Sequence, residues 1–166
     1  MGPGYAAFTV SSLYTFRAAE DDEMPVVRRL FQEYAESIGI DLGFQGFEQE
    51  LANLPGEYAV SRGGIFLAVA AEAVGCVAVR PLEADVCEMK RLYVRPSARG
   101  ADVGRHLALT AVACGRARGY RVTRLDTLAT MTAARALYGG LGFREVPPYC
   151  YNPFPDAVFM ERELRT

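Results

Sequence analysis

Apolar and polar positions follow two different periods along this chain of 166 residues. Between residues 24 and 38, apolar residues recur at helical spacing with charged residues on the other side, which predicts an amphipathic helix that ends at Gly39. A loop interrupted by glycines at 40–46 and a short helix at 47–54 follow. From Gly64 onward the pattern changes to short apolar runs, which are typical of strands.

The later elements predict one sheet with a helical crossover. A short strand is predicted at 14–17. Further strands are predicted at 65–70, 75–80, 86–94 and 121–126, near Val146 and at 157–164. Helices are predicted from Val103 to Gly119 and at 133–141. The order β-α-α-β-β-β-α-β-α-β-β predicts an α/β (α+β) fold. We expect a single domain with a mixed, mostly antiparallel central sheet, a βαβ crossover and flanking helices.

Composition narrows the classes of function. A formal net charge of −2 gives no broad basic surface, so nucleic acid is not an expected partner. One histidine, and four cysteines without a C-x-x-C pair, predict that there is no metal site and that the cysteines are reduced. No secretory signal or bilayer-spanning stretch is visible, so we expect a cytoplasmic protein without membrane contact. We expect residues 1–13 to be flexible and the domain to occupy 14–166.

The loop after the strand at 86–94 carries the most information. It contains glycine, opens the helix at Val103 and is flanked by Arg99 and Arg105. Free backbone N–H groups at a helix start bind anions, and the arginines add donors. The loop has neither the Walker nor the Rossmann glycine pattern. By itself it leaves two interpretations open: a site for a nucleotide or another phosphate ligand, and a solvated basic helix start.

Two motifs resemble those of the GNAT acetyltransferase superfamily. Residues 88–96, followed by Arg99 to Gly104, resemble its acyl-CoA loop, Gln/Arg-x-x-Gly-x-Gly/Ala, and residues 134–143 resemble its A-x-x-L-Y-x-x-x-G-F helix end. The resemblance covers residues 14–164 and implies a GNAT-like domain. It further implies an acetyl-CoA-dependent N-acetyltransferase, in which a primary amine attacks directly in a ternary complex. The alternative is a non-catalytic acyl-CoA-binding module of the same fold.

The resemblance also implies which residues bind acetyl-CoA, the expected co-substrate. Backbone groups of Leu92, Tyr93 and Val94 would pair with the pantetheine arm in a gap between the strands at 86–94 and 121–126. N–H groups of the loop would hold the pyrophosphate, and these belong to Arg99, Gly100, Ala101, Asp102, Val103, Gly104 and Arg105. Two positions depart from the family pattern: Asp102 replaces the first loop glycine, and Met131 replaces a frequent asparagine. The Asp102 carboxylate would lie beside the pyrophosphate or would cap the helix instead.

The same resemblance suggests the acid and the base of the reaction. Tyr138 matches the tyrosine that protonates the departing thiolate, although its spacing alone also fits a tyrosine packed on the inner helix face. Glu88 matches a strand glutamate that some members use as general base, a task that a raised pKa would suit. A solvent-facing glutamate and a base acting through a water chain are the alternatives. His106 is expected near the pyrophosphate, away from the sulfur.

The acceptor side is less defined by the motifs. We expect it to be built from the loop at 38–47, the strand around Glu88 and the proline- and aromatic-rich segment 147–155. Asp41, together with Glu88, would favour a cationic amine. The expected partner is a small-molecule or peptide amine, and the resemblance is also compatible with a homodimer.

Overall fold

The strands in the described part of the chain form one seven-stranded sheet. A computed structural model describes residues 13–165. Its helices and strands follow the predicted order: β1 (Thr15–Ala18), α1 (Met24–Ile38), α2 (Phe47–Ala52), β2 (Gly64–Val69), β3 (Ala73–Glu83), β4 (Val86–Val94), α3 (Val103–Ala117), β5 (Val122–Leu128), α4 (Thr132–Gly140), β6 (Arg144–Val146) and β7 (Ala157–Glu163). The flexibility expected for residues 1–13 concerns, apart from Leu13, residues outside those described.

The sheet is mixed but mostly antiparallel. Its order is β1-β2-β3-β4-β5-β7-β6, and the one parallel pair in this order, β4 with β5, is joined through the crossover helix α3. The short connections of β2, β3 and β4 pair them antiparallel, as predicted. The predicted fold class is therefore confirmed.

Helices cover both faces of the sheet because the strand side chains alternate. In β2, Phe66 belongs to the apolar cluster that includes Leu107 of α3, whereas Leu67 belongs to the cluster that includes Leu30 of α1. Leu30, Leu67 and Leu107 have no exposed surface. Burying a side chain of this size contributes about 1.5–3 kcal/mol to folding. The two clusters bury both faces of the sheet that contains β4 and β5.

The cysteines mostly take the predicted place in the core. Cys76, Cys87 and Cys114 are buried free thiols, while Cys150 is exposed. Within the described part of the chain, no helix combines the length and the apolar character needed to cross a membrane.

Candidate active site

A cleft opens in the middle of the sheet, where β4 and β5 part. Their parallel pairing covers only three pairs and ends where Glu88 faces Arg124. Beyond this point β5 continues along β7 to Leu128, and β4 continues along β3 to Val94. Each strand thus keeps one partner and leaves its other edge open. The β4–β5 cleft is lined by Lys90, Leu92, Met131, Ala134 and Tyr138, among others.

A bulge in β4 shapes this cleft. Lys90 faces Ala78 and Tyr93 faces Cys76, so Arg91 and Leu92 together oppose the single residue Val77. Such a bulge redirects the backbone and frees it from the ladder. The bulge follows the segment of β4 that pairs with β5, and it lies where the predicted pantetheine-binding residues begin. The bulge therefore leaves the Leu92 backbone outside the regular β3–β4 pairing, at the cleft.

Arg91 holds the bulge in place. Its φ is +60°, a conformation that a residue with a Cβ adopts only when its surroundings enforce it. The guanidinium makes two 2.9 Å hydrogen bonds to Glu50 and one of 2.9 Å to Gln45, and it lies over the Phe47 ring. The side chain of Arg91 is only 1% exposed. The strained backbone is thus anchored to α2 by a buried bidentate ion pair.

Tyr138 lies where the A-x-x-L-Y motif predicted it, on α4 and against the cleft. Its ring packs on Phe143 at a centroid distance of 5.7 Å. Burial raises the pKa of its phenol well above the ordinary value. Among the described residues no side chain or backbone group hydrogen-bonds the hydroxyl. The phenol of Tyr138 therefore stays neutral, with its proton in place.

The predicted phosphate loop is largely exposed to solvent, but the Arg99 N–H already donates a 3.3 Å hydrogen bond to the Pro96 carbonyl. Arg99, Gly100, Ala101, Asp102 and Arg105 are exposed, and Gly104 is half-buried. The Val103 side chain is buried in the core, so it offers the loop only its backbone. The side chains of Leu92 and Val94 are half-buried. The Tyr93 side chain is buried, and its hydroxyl oxygen lies 3.5 Å from Glu33 Oε1.

Asp102 has a backbone conformation that favours glycine. Its φ of +59° lies in the left-handed region, which aspartate tolerates better than most residues. The carboxylate makes no cap hydrogen bond to α3. The alternative that Asp102 occupies the helix N–H groups is therefore wrong, and these donors remain open to an anion.

Glu88 is buried rather than solvent-facing, and both of its oxygens are engaged. Oε1 accepts a 2.9 Å hydrogen bond from Arg80 Nε, and Oε2 accepts a 2.6 Å bond from the Tyr149 hydroxyl. Burial alone would raise the pKa of Glu88. The charges of Lys90 and Arg80 and the hydrogen bonds from Tyr149 and Arg80 outweigh it, so the pKa is lowered. The expectation of a raised pKa is thus wrong, because cations surround this carboxylate.

The Glu88→Gln variant tests this shift through its stability. A carboxylate whose pKa is lowered by folding stabilises the protein above its ordinary pKa, near 4.5, and loses this effect as the pH falls through the folded value. We expect Glu88→Gln to be less stable than wild type by about 1.5–3 kcal/mol at pH 7. Urea unfolding between pH 7 and 3 should show that the difference in free energy of unfolding between wild type and Glu88→Gln shrinks below about pH 4.5. Glu57 is the exposed partner of Arg80, so the matched variant Glu57→Gln should have nearly the same free energy of unfolding as wild type. If the difference in stability between wild type and Glu88→Gln grew as the pH fell, the pKa of Glu88 would be raised in the folded protein.

Three polar side chains at the cleft were missed by sequence reasoning. Lys90 is buried on β4, 3.9 Å from Asp126 of β5, and donates a 3.0 Å hydrogen bond to Gln45. Burial lowers the pKa of Lys90, although the charges of Glu88 and Asp126 act in the opposite direction. One signal pointed to Asp126: a carboxylate near the carboxyl end of the strand after a crossover faces the crevice of such sheets.

The proline-rich segment 147–155 closes the acceptor side through two attachments. Tyr149 bonds Glu88 and packs under Arg124, and Asn152 donates a 3.3 Å hydrogen bond to Asp126. Asp41, in contrast, is exposed and accepts a 2.7 Å bond from the Gly43 backbone, as in a local turn. Asp126 lines the cleft and Glu88 is bonded to Tyr149 of this segment, whereas Asp41 contacts neither, so the expectation for Asp41 is corrected.

Two further predicted positions are placed by the structure. Met131 lines the cleft beside Tyr138, and its sulfur accepts a 3.5 Å contact from the Thr127 hydroxyl. His106 packs against the Phe16 ring at 5.3 Å, in the first turns of α3. Met131 thus contributes a thioether where the family pattern led us to expect an amide, and His106 lies at the start of the crossover helix.

Comparison with known proteins now adds to this geometry. A family model for the acetyltransferase (GNAT) domain matches residues 61–145. An uncharacterized N-acetyltransferase of Schizosaccharomyces pombe is 42% identical over 141 residues, which cover 82% of this chain and 86% of that protein. The chain belongs to the GNAT family. The family model and the relatives confirm the prediction that it is an acetyl-CoA-dependent N-acetyltransferase. An N-acetyltransferase of Escherichia coli K12 is 30% identical over 149 residues, covering 84% of this chain and 89% of that protein.

Solved structures confirm the GNAT fold. A GNAT acetyltransferase from Staphylococcus aureus Mu50 superposes with a TM-score of 0.76 at 19% identity, over 92% of this chain and 99% of that one. An acetyltransferase from Salmonella typhimurium, solved with its cofactor acetyl-CoA, gives a TM-score of 0.73 at 16% identity, over 93% and 95% of the two chains. At these identities the likeness concerns the fold.

Proposed function

We propose that this GNAT enzyme transfers the acetyl group of acetyl-CoA to a primary amine, by direct attack in a ternary complex at the β4–β5 cleft. The observation that carries the proposal is the parting of the two strands after Glu88, which leaves an open β4 edge beside Tyr138. An extended ligand can pair with such an edge like an added strand. A donor thioester at this edge and an amine on the β5 side would meet without a covalent enzyme intermediate.

The residues at the cleft fit acetyl-CoA. The free edge at Leu92, Tyr93 and Val94 suits the amides of the pantetheine arm, and the uncapped helix start after Asp102 suits the pyrophosphate. The Val94 carbonyl now accepts a 3.1 Å hydrogen bond from Arg99 Nε. Because Arg99 is exposed, it can exchange this bond for a phosphate contact at little cost. Bound acetyl-CoA would supply the activated acetyl thioester.

Two groups of the chain would act on the charges that develop during transfer. The Leu92 N–H, left outside the ladder by the bulge, would donate to the oxyanion of the tetrahedral intermediate. The Tyr138 hydroxyl would give its proton to the departing thiolate. Both groups line the same cleft, so they would act on the same carbonyl carbon and its leaving group.

Glu88 would act as the base through Tyr149. The ammonium proton passes to the Tyr149 oxygen while the Tyr149 proton passes along its 2.6 Å hydrogen bond to Glu88 Oε2. Burial and the nearby carboxylates Glu88 and Asp126 raise the pKa of Tyr149, so its phenol releases one proton only as it accepts another. A chain of waters to the same carboxylate is the alternative route.

The Tyr149→Phe variant tests the relay without removing the Arg80–Glu88 ion pair. We expect kcat to fall by roughly tenfold or more, because the amine then loses its path to the carboxylate. Thiol release, followed against pH, measures the effect. Exposed Tyr151 of the same segment provides the control Tyr151→Phe, for which kcat should hold. Equal rates for Tyr149→Phe and wild type would remove Tyr149 from the relay and favour the water chain.

Asp102 should weaken the binding of acetyl-CoA through its charge alone. Asparagine also tolerates the left-handed conformation, so Asp102→Asn removes the charge and keeps the backbone. We expect the Kd for acetyl-CoA to fall roughly fivefold at low ionic strength, and less in 0.5 M salt. Isothermal titration at two salt concentrations measures both values. A Kd that rises in Asp102→Asn would mean that the carboxylate helps to shape the loop.

One pair of experiments tests the proposal as a whole. Thermal shift with CoA, acetyl-CoA and ATP measures which ligand the loop accepts. Thiol release from acetyl-CoA with a panel of amines then measures turnover. We expect stabilisation by CoA and acetyl-CoA, and thiol release that depends on an amine. Binding without turnover of any amine would support a non-catalytic acyl-CoA-binding module, and a shift with ATP alone would support a nucleotide site.

A further inference from the structure

A cavity of about 270 Å³ lies beside α2 and is here called the α2 pocket. It is lined by residues 45–46, by three residues at the end of α2, by the turn at 55–58 and by Arg80 of β3. The β4–β5 cleft itself offers only about 70 Å³, and in the proposed function the thioester takes up part of this space. The body of an acceptor larger than a few atoms therefore needs a second cavity, and the α2 pocket has the room for it.

Gln45 joins the α2 pocket to the cleft. Among the residues that the structure describes, its side chain alone lines both cavities. Gln45 Oε1 accepts a 3.0 Å hydrogen bond from Lys90, and its Nε2 lies 3.5 Å from Asp126 Oδ2. An amine whose body lies in the α2 pocket therefore reaches the thioester by passing Gln45, between the strands β4 and β5.

The charged side chains of the α2 pocket already have partners. Glu50 accepts two hydrogen bonds of 2.9 Å from Arg91. Arg80 donates one of 2.7 Å to Glu57 and one of 2.9 Å to Glu88. A carboxylate on the ligand would have to displace Glu57 or Glu88 from Arg80, and an ammonium would have to share Glu57 with the Arg80 cation. A charged body thus gains no partner here without weakening an existing ion pair.

The neutral polar side chains of the pocket, in contrast, keep unused hydrogen-bonding groups. Within residues 13–165 the Gln49 side-chain amide makes no hydrogen bond, and Asn53 uses its Nδ2, at 2.8 Å from the Gln49 carbonyl, but not its Oδ1. Tyr58 is 2% exposed, and its hydroxyl has no partner in the same part of the chain. Amides and hydroxyls both donate and accept, so hydroxyl groups of a ligand match them. An apolar body would cover these groups without bonding them, which costs free energy.

We propose that the acceptor is an amine with a neutral, hydroxylated body, of the amino sugar alcohol class, whose hydroxyl groups bind in the α2 pocket. This inference rests on the proposed function and specifies its substrate class. It assigns Gln49 and Asn53 as the side chains that recognise the body of the acceptor. It concerns the body alone, since groups next to the amine would lie near Lys90 and Asp126.

Four amines built on one six-carbon chain test this class. 1-Amino-1-deoxysorbitol carries hydroxyl groups along the chain, and hexylamine carries none. 1,6-Diaminohexane ends in a second ammonium, and 6-aminohexanoate ends in a carboxylate. We expect kcat/KM for the aminosorbitol to exceed each of the other values by roughly 10-fold or more, because its body alone bonds the neutral groups of the pocket. Thiol release at saturating acetyl-CoA, compared at equal concentrations of unprotonated amine, measures these values.

Variants at two adjacent, exposed positions of α2 separate recognition from packing. Gln49→Leu removes the amide and keeps the size of the side chain, so kcat/KM for the aminosorbitol should fall roughly 3- to 10-fold. The value for hexylamine should not fall, and the Kd for acetyl-CoA should stay unchanged. Gln49→Trp should fill the pocket and slow both six-carbon amines but not methylamine. Glu48→Leu, outside the lining, should change none of these values.

Three results would contradict the inference in distinguishable ways. Turnover of hexylamine as fast as that of the aminosorbitol, or an unchanged preference between the two in Gln49→Leu, would overturn it. A preference for 1,6-diaminohexane or 6-aminohexanoate would also overturn it, while leaving the acetyltransferase intact. Thiol release that depends on none of the amines, methylamine included, would overturn the proposed function and this inference with it.

Discussion

Replacing Tyr138 by phenylalanine is expected to slow acetyl transfer by roughly 10²- to 10⁴-fold, the range that a positioned general acid contributes. Tyr138 lines the cleft, its hydroxyl has no hydrogen-bond partner among residues 13–165, and burial raises the pKa of its phenol. Phenylalanine keeps the ring contact with Phe143 and removes only the proton donor. Thiol release under saturating acetyl-CoA and amine measures the loss, and the Kd for acetyl-CoA should stay within a factor of about 2–3.

A buried tyrosine away from the cleft provides the control. The Tyr120 hydroxyl donates a 2.7 Å hydrogen bond to the Arg62 carbonyl, at the opposite end of β5 from the cleft. Tyr120→Phe should lower stability slightly and leave kcat unchanged. If Tyr138→Phe and Tyr120→Phe gave the same kcat, Tyr138 would be a packing residue, the alternative that its helical spacing also allows.

Replacing Glu50 by alanine is expected to lower the free energy of unfolding by about 3–5 kcal/mol, because it leaves the buried Arg91 guanidinium without its anionic partner. The same change releases the bulge of β4, since two of the bonds that hold Arg91 at positive φ are lost. We therefore expect kcat to fall together with stability, as the Leu92 N–H is no longer positioned. Urea unfolding and thiol release at a temperature where the variant is folded measure the two effects.

An exposed ion pair offers the comparison for Glu50. Asp85 and Arg121 approach to 3.9 Å, with 64% of each side chain exposed. Asp85→Ala should leave the free energy of unfolding and kcat nearly unchanged. A loss of stability in Glu50→Ala as small as that in Asp85→Ala would show that Arg91 is not held by this pair.

Much of the fold was predictable because its signals are local. The strand predicted at 86–94 has the same bounds in the structure, and α1 ends at the predicted Gly39, whose φ is +67°. The crossover followed from the order of elements, since a helix between neighbouring strands favours a parallel pair. The two motifs located Tyr138 and the loop at 99–105 for the same reason: each is a contiguous stretch of chain.

The acceptor side was not predictable, since it depends on contacts between distant segments. Lys90 and Asp126 meet because β4 and β5 part at this level, and Gln45 reaches both from another loop. Periodicity alone does not show that a strand lysine is buried or that an aspartate is loosely paired. The direction of the Glu88 pKa shift was missed for the same reason, because Arg80 and Tyr149 approach it from a neighbouring strand and a distant segment.

The central claim is direct transfer from acetyl-CoA to an amine when both are bound in the β4–β5 cleft. Initial rates of thiol release, measured over a matrix of acetyl-CoA and amine concentrations, test it most directly. We expect lines that intersect in the double-reciprocal plot, and we expect intact-protein mass spectrometry to find no acetyl group on the enzyme after incubation with acetyl-CoA alone. Parallel lines, together with an acetylated enzyme that passes its acetyl group to an amine, would contradict it.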